Sequence, residues 1–404
     1  MAYDFSLVSS KMKSSKIREL MKYASMPGVI SFAGGMPDPD NFPFDDVKSI
    51  INNWDVKSSK IAMQYGTTNG YGALVEDIIK RMTTVKHINP EGQGVVVTTG
   101  GQQGLYLVAK IFLDPGDVIL VEDPTFIGGM ASFLSCQAQV VGVSLEDDGV
   151  NVDELETTFL SLKKAGKNVK FFYTIPNFQN PKGSTMSLGK RKKLYELSKK
   201  HNLVIIEDDP YGDLFYTGTS EDYLPVKSLG NDAPIIYIGS FSKVLSPGFR
   251  LGWIYADDII IDKAALAKQS IDACSSSFGQ VIASDYLKLG KIDDYLTKMR
   301  AVYSKKKNVM MEMITQYFPE SVKVTNAKGG FFIYAKLPDG ISGNALFLRT
   351  IKENVAFVTG EPFHTDPVTG DQHIRLSFSN SSDDEIKKGI KIIGDTITAM
   401  IKEM

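Results

Sequence analysis

Lys243 stands in "SFSKVLSPGFRLGW" (240–253), a stretch apolar enough for a strand or core, with Ser240 and Ser242 before it and Arg250 seven residues after. A lysine held out of water near other cations loses proton affinity and becomes a nucleophilic amine, able to attack a carbonyl. Arg250, Ser240 and Ser242 would then supply the charge and hydroxyls that hold a phosphate. A second group lies in "LVIIEDDPYG" (203–212), where four apolar residues run into Glu207, Asp208 and Asp209. Asp208 and Tyr211, three residues apart, could grip two points of one aromatic heterocycle, although a solvated turn of acids is the plainer reading of "EDD" alone. A buried carboxylate at a strand end needs a cation or hydrogen-bond donors.

Other short stretches are individually weak. "TTGGQQG" (98–104) follows a β-branched run and opens a helical pattern, an arrangement that turns backbone N–H groups and the helix dipole toward an anion. It is neither GxGxxG nor a GKT/GKS loop, so a dinucleotide fingerprint and a P-loop are both unsupported. "IPNFQNPKG" (175–183) carries Asn177 and Asn180 in a Pro/Gly turn, where local turn chemistry is the ordinary role of Asn. "EDPTF" (122–126) offers Phe126 as core filler or as a face for a planar ring.

The elements that must position these groups alternate. Seven β-branched runs, "GVVVTTG", "VILVED", "AQVVGVSL", "VKFFYTIP", "LVIIEDDP", "IIYIGSF" and "RLGWIYA", fall between about residues 94 and 256. Between them lie the helical patterns "GQQGLYLVAKIFL", "VDELETTFLSLKKAG" and "SLGKRKKLYELSKKHN". Strands apolar on both faces and alternating with helices predict an α/β fold, a mostly parallel seven-stranded sheet sandwiched by helices. Ligands of such sheets collect at the carboxyl ends of the strands, where this chain concentrates Gly, Asn, Asp and Ser. After about residue 288 a long charged helix leads to a smaller α+β domain with strands in "GGFFIYAKL", "VAFVTG" and "HIRLSFS". A last helix is opened by a capping box, Ser382 with Glu385, and carries Ile386, Ile390, Ile393, Ile397 and Met400 as one buried stripe. The division expected is an N-terminal arm over 1–45 that packs with the small domain and the active site, a large domain over 46–288 and the small domain over 289–404.

Length and charge bound the partners. At 404 residues the chain suits two domains, and 45 Lys+Arg against 47 Asp+Glu leave a net charge of −2. That balance does not favour nucleic acid or an acidic membrane, so small molecules are the expected partners. Cys136 and Cys274 lie far apart with neither CxxC nor a nearby His, so free thiols and no metal site are expected. The N-terminus lacks the apolar region of a signal peptide and no run of about 18 apolar residues occurs, which places the protein in the cytoplasm.

Taken together, the segments resemble the fold-type I pyridoxal-phosphate (PLP) aminotransferases, the class I/II aspartate-aminotransferase-like group. "SFSKVLSPGFRLGW" is similar to the family's cofactor-lysine segment, "NPKG" to its NPTG turn, "DDPY" to its Asp-x-x-Tyr and "IRLSFS" to the strand bearing its carboxylate-binding arginine, in the family's order over roughly residues 30–380. The resemblance implies that Lys243 forms a Schiff base with PLP and shuttles a proton between the substrate Cα and the cofactor. It also implies that Asp208 pairs with the ring nitrogen, and that Tyr211 and Asn180 hydrogen-bond the ring's 3-oxygen. Gly101, Gln102, Ser240, Ser242 and Arg250 would hold the phosphate, and Phe126 would stack on the ring. Arg375 would clamp the substrate carboxylate, with Asn180 and Gly35 lining the same pocket. Tyr65, in "MQYGTTNGYG", would reach the phosphate of a neighbouring subunit's cofactor, which makes the unit a homodimer with shared sites.

Three positions depart from the family. Gly101 stands where relatives often place a hydroxyl residue, which shifts phosphate binding toward the backbone. Phe126 replaces Tyr or Trp, and "VTGEPF" lacks the usual proline before its glycine. "VISFAGGMPDPDNFP" and "QYGTTNGYGALVEDI" are most similar to the 2-aminoadipate/kynurenine aminotransferase branch. That branch acts on aromatic, branched and long acidic amino acids, with 2-oxoglutarate as the usual acceptor. Two alternatives remain: a PLP-dependent β-lyase or other α-carbon chemistry on the same fold, and an aminotransferase-like regulator domain. The regulators carry a winged helix of about 70 residues ahead of the cofactor domain, whereas here "SFAGG" begins at residue 31.

Overall fold

The computed structural model describes residues 3–6, 9 and 26–404. The rest of the expected arm before Met26 lies outside the described residues. After a short strand β1 (Ile30–Ser31), the chain builds strands β2 (Gln93–Thr98), β3 (Val118–Asp123), β4 (Gln139–Glu146), β5 (Gly149–Val150), β6 (Val169–Thr174), β7 (Val204–Asp208), β8 (Ile235–Ser240) and β9 (Gly252–Asp257). Strands β2 to β9 form one sheet in the order β2-β9-β8-β7-β6-β3-β4-β5. The sheet therefore has eight strands rather than the seven expected. The eighth, β5, is a two-residue antiparallel hairpin partner of β4, too short for its pattern to register.

Alternation along the strands explains the layers, because successive side chains leave opposite faces of a strand. Ile119, Val121, Phe171, Tyr173, Ile206 and Ile236 join one buried cluster, which includes Leu105, Leu107 and Val108 of the helix Gly101–Phe112 and Ala264 of the helix Asp258–Gln269. Their neighbours Leu120, Phe172, Ile205 and Ile235 join another, with Leu155 and Phe159 of the helix Val152–Lys164 and Leu194 of the helix Leu188–His201. Apolar residues on both faces are thus the mark of a sheet covered on both sides.

Topology sets where the site falls. Strands β3, β4, β6, β7 and β8 run parallel, so Asp123, Thr174, Asp208 and Ser240 finish at one edge. Antiparallel β9 lies between β8 and β2, with Gly252 opposite both Ser240 and Thr98, which brings the start of the helix Gly101–Phe112 to that same edge.

Beyond the helix Ser277–Lys288, a 27-residue helix, Lys291–Tyr317, leads to a second, antiparallel sheet. Its strands are β10 (Lys323–Val324), β11 (Phe332–Lys336), β13 (Val358–Thr359) and β14 (His373–Ser377), ordered β10-β11-β14-β13. Strand β12 (Val355–Ala356) pairs instead with β1 in parallel, and the Ser377 N–H donates to the Phe32 carbonyl at 2.9 Å. The segment before Gly34 is thereby knitted to the C-terminal sheet. The helix Asp383–Lys402 has the expected capping box, and its Ile386, Ile390, Ile393 and Ile397 are fully buried. Cys136 and Cys274 are free thiols. Among the described residues no helix is long and apolar enough to cross a membrane.

Candidate active site

A cavity of about 350 Å³ opens at the carboxyl edge of the large sheet, against the second sheet and the segment around Gly35. Its lining includes Lys243, Asp208, Tyr211, Asn180 and Arg375, contributed by four separate stretches of chain. Gly101, Gln102, Phe126, Ser240, Ser242, Arg250 and Gly35 also line it. Of the site residues the resemblance implies, Tyr65 alone lies outside this lining: it is 87% exposed, beside Met63, Cys274 and Phe278.

Lys243 sits in the turn after β8, where its ammonium donates to the Gly35 carbonyl at 2.7 Å and stands 5.7 Å from the centre of the Phe331 ring. Burial pulls its pKa down to about 8, and the nearby Arg250 and Arg375 charges act in the same direction. Gly35 tolerates no side chain, since a Cβ there would come within 2.5 Å of the Phe332 ring.

Asp208 ends β7 and is buried. Its Oδ2 accepts the Tyr173 hydroxyl at 2.8 Å, yet burial holds its pKa up at about 7, with Asp209 adding repulsion against that hydrogen bond. No cationic side chain pairs with it among the described residues. Its neighbours differ: Glu207 is capped by the Val226 and Lys227 N–H groups, while Asp209 accepts from Asn177 and Tyr237. The acidic run is therefore buried rather than solvated, and only Asp208 faces the cavity. Asn177 is structural, held between Asp209 and Arg191, whereas Asn180 reaches the cavity.

Arg375 lies on β14, opposite Tyr334 of β11 and Val358 of β13. One guanidinium nitrogen donates to Asn180 Oδ1 at 2.8 Å and another to the Ala33 carbonyl at 2.6 Å, while Nε, although buried, has no partner. The rings of Phe332 and Phe363 flank it at 4.3 Å and 4.9 Å. Burial lowers its pKa to about 10. Among the described residues no carboxylate pairs with it, so a buried cation waits for an anion from outside.

At the far end of the cavity the helix Gly101–Phe112 points its N-terminus inward, after Gly100 with φ of 80°. A Cβ on Gly100 would come within 2.6 Å of the Arg250 guanidinium, which shows how closely that cation approaches the turn. Ser240 and Ser242 adjoin, the Ser242 N–H donating to the Ser240 hydroxyl. The Gln102 side chain is spoken for, since it donates to the Gly128 carbonyl and to the Ser132 hydroxyl at 2.7 Å each. Any hold it has on an anion falls to its backbone N–H.

Several contributors carried no sequence signal as site residues. Tyr173, Phe332, Ala33 and Met36 look like strand or loop filler by type, and Phe363 lies in "VTGEPF", whose residue types carry no chemical signal. Tyr173 could have been found from register alone: it pairs with Ile206, two residues before Asp208 on the adjacent strand.

The donor set suits a phosphorylated pyridine. It offers a lone buried carboxylate for a protonated ring nitrogen, helix N–H groups with Arg250 for a phosphate, an amine with depressed pKa for an aldehyde, and Phe126 for a ring face. The comparisons agree. Residues 27–393 match the family model described as aminotransferase class I and II. The chain is 39% identical to aromatic-amino-acid aminotransferase 1 of Thermococcus litoralis, over 99% of this chain and 95% of that protein. It is 34% identical to the 2-aminoadipate transaminase of Thermus thermophilus, over 97% and 96%. A solved structure of Pyrococcus horikoshii kynurenine aminotransferase, in complex with PMP, superposes with a TM-score of 0.95 at 38% identity, covering 98% of this chain and 97% of that one. The chain belongs to the class I and II aminotransferases. It is a fold-type I, PLP-dependent aminotransferase, near the aromatic, 2-aminoadipate and kynurenine enzymes of that family.

Proposed function

We propose that this enzyme moves the amino group of an L-amino acid with an aromatic, branched or 2-aminoadipate-like side chain to a 2-oxo acid, 2-oxoglutarate by preference, in a ping-pong cycle. The observation that carries it is Arg375: a buried guanidinium with an unsatisfied Nε, in the same cavity as Lys243 and Asp208. A substrate carboxylate would answer that charge, and two parallel hydrogen bonds would fix the orientation of the substrate Cα. Named relatives that act on aromatic amino acids and 2-aminoadipate support the donor class.

PLP, when bound, supplies an electron sink for the bond broken at Cα. Asp208 would hold positive charge on the ring nitrogen. Tyr211 and Asn180 would hold the ring oxygen, and the backbone at Gly101 and Gln102 would hold the phosphate with Ser240, Ser242 and Arg250. Phe126 would support the ring face. The Lys243 amine would take the Cα proton and return it, a task suited to a group whose pKa burial lowers to about 8. The first oxo acid leaves and the second enters the same Arg375 clamp, which is why the cycle is ping-pong.

On this reading the chain divides into an arm (1–45), a cofactor domain (46–288) and a small domain (289–404). The working unit is a homodimer in the cytoplasm, in which Tyr65, remote from its own chain's cavity, contributes to the partner's. A donor panel at fixed 2-oxoglutarate, with 2-aminoadipate, kynurenine, leucine, phenylalanine and alanine, tests the specificity. With amino acid alone the enzyme should accumulate pyridoxamine phosphate and release stoichiometric oxo acid. Release of ammonia with unchanged cofactor absorbance would instead identify a β-lyase.

A further inference from the structure

Behind the carboxylate clamp, a chain of polar side chains joins the two sheets. Asp123 is the last residue of β3 and precedes the Pro124–Phe126 loop that bears the ring-stacking phenyl. Its Oδ1 lies 2.7 Å from His364 Nδ1, and both side chains are shielded, at 19% and 8% exposure. Its Oδ2 accepts the Thr365 N–H at 3.2 Å and the Thr365 hydroxyl. On the other side of the imidazole, His364 Nε2 lies 3.0 Å from the Tyr334 hydroxyl. The imidazole thus faces the carboxylate through a short polar contact in which Oδ1 has no aligned hydrogen-bond donor among the described residues, and its Nε2 shares a hydrogen bond with the Tyr334 hydroxyl.

What this chain holds is the clamp itself. Tyr334 is the cross-strand partner of Arg375. Residue 363, next to His364, is the phenylalanine whose ring lies 4.9 Å from the Arg375 guanidinium, and its carbonyl accepts the Thr125 N–H at 2.8 Å. Phe363 also packs with Ala33 and Val358, against Ile127 of the helix that follows Phe126. Ala33 in turn supplies the carbonyl to which Arg375 donates. One carboxylate thus grips His364 and Thr365 from the strand whose next loop carries Phe126, and it does not line the cavity.

We propose that Asp123, His364 and Tyr334 are positioning residues for the substrate carboxylate: they fix Arg375 and Phe363 relative to the ring-stacking loop. The proposal rests on the aminotransferase reading above and on Arg375 as the carboxylate site. Because every substrate of the cycle presents a carboxylate to Arg375, loosening the latch weakens donor and acceptor alike. A displacement of the clamp of about an ångström is enough to cost an order of magnitude or more.

The test uses the holoenzyme and steady-state kinetics in both half-reactions for Tyr334→Phe, His364→Ala, His364→Asn and Arg375→Ala. Tyr334→Phe and His364→Ala should each raise KM for amino donor and oxo acid about tenfold, with kcat within about twofold and the visible absorbance of the lysine-bound cofactor unchanged. His364→Asn, whose amide can donate to Asp123 from near the Nδ1 position, should recover most of the loss. A folded, cofactor-loaded Tyr334→Phe or His364→Ala enzyme with unaltered KM, or with lowered Tm and no kinetic change, overturns the proposal. If His364→Ala does not fold, Tyr334→Phe decides alone, because it removes only a hydroxyl. Arg375→Ala separates the two levels: if it raises KM and the latch variants do not, the positioning role fails. If Arg375→Ala also leaves KM unchanged, the carboxylate site itself is wrong.

Discussion

Lys243 and Asp208 are each displaced from ordinary titration by the same cause, removal from water, and each is displaced toward its neutral form. For the amine this is a gain, since only the unprotonated form attacks a carbonyl. The sign is definite: the folded-state pKa of about 8 lies below the ordinary 10.5, so the reactive fraction rises through pH 8 and not two units higher. Reloading of cofactor-free enzyme with PLP, followed by growth of visible absorbance, should therefore speed up between about pH 7 and pH 9, with a midpoint near pH 8, and level off above. A midpoint near 10.5 would show that Lys243 is solvated in the apoenzyme. Between about pH 8 and pH 10.5 an unfolded chain binds a proton at this lysine that the folded apoenzyme does not, so apoenzyme stability gains with pH.

At the scale of elements, strand ends do the positioning, and the start of β9 leaves no room beside the turn that opens the helix Gly101–Phe112. A Cβ on Gly252 would meet the Gly100 carbonyl carbon and the Gly101 nitrogen at 2.7 Å and the Gly239 oxygen at 2.8 Å, all backbone atoms that cannot swing away. Gly252→Ala should push the helix start outward and weaken PLP binding about tenfold or more, measured by cofactor titration of the apoenzyme, while Arg375-dependent discrimination between substrates survives. Unchanged PLP affinity would remove the turn from the phosphate site. Seven strands of the large sheet are legible in the sequence because their β-branched runs are apolar on both faces, whereas Gly149–Val150 is too short to carry a period. Lys243 and Asp208 are legible because each stands at a strand end with a chemical reason to be polar, whereas Asn180 and Arg375 are legible only through the resemblance of "NPKG" and "IRLSFS" to family segments. Tyr173, Phe332 and Phe363 are not, because an aromatic residue in a strand or beside one reads as core until its neighbours in space are known. The Gln102 side chain shows the complementary gap: its helix-start position is legible, but its hydrogen bonds to Gly128 and Ser132 depend on how two helices pack.

At the scale of the molecule, the cavity sits where the carboxyl edge of one sheet meets the second sheet, and Arg375 reaches it from beyond residue 290. Tyr65 is the outlier, exposed and outside that cavity, and the proposed homodimer gives it a place. Tyr65→Phe should then lower PLP affinity without altering the cavity of an isolated chain, and wild-type activity per chain should fall on dilution below the dimer dissociation constant, in step with sedimentation. Activity that stays constant while the enzyme sediments as a monomer would exclude shared sites.

The central claim, that Lys243 is the residue to which PLP attaches, has a direct check in borohydride reduction of the holoenzyme followed by proteolysis and mass spectrometry. The account predicts a single phosphopyridoxyl group fixed on the peptide containing Lys243, and none on any peptide of Lys243→Ala treated alike. The label on a different lysine, or an undiminished label in Lys243→Ala, would contradict it.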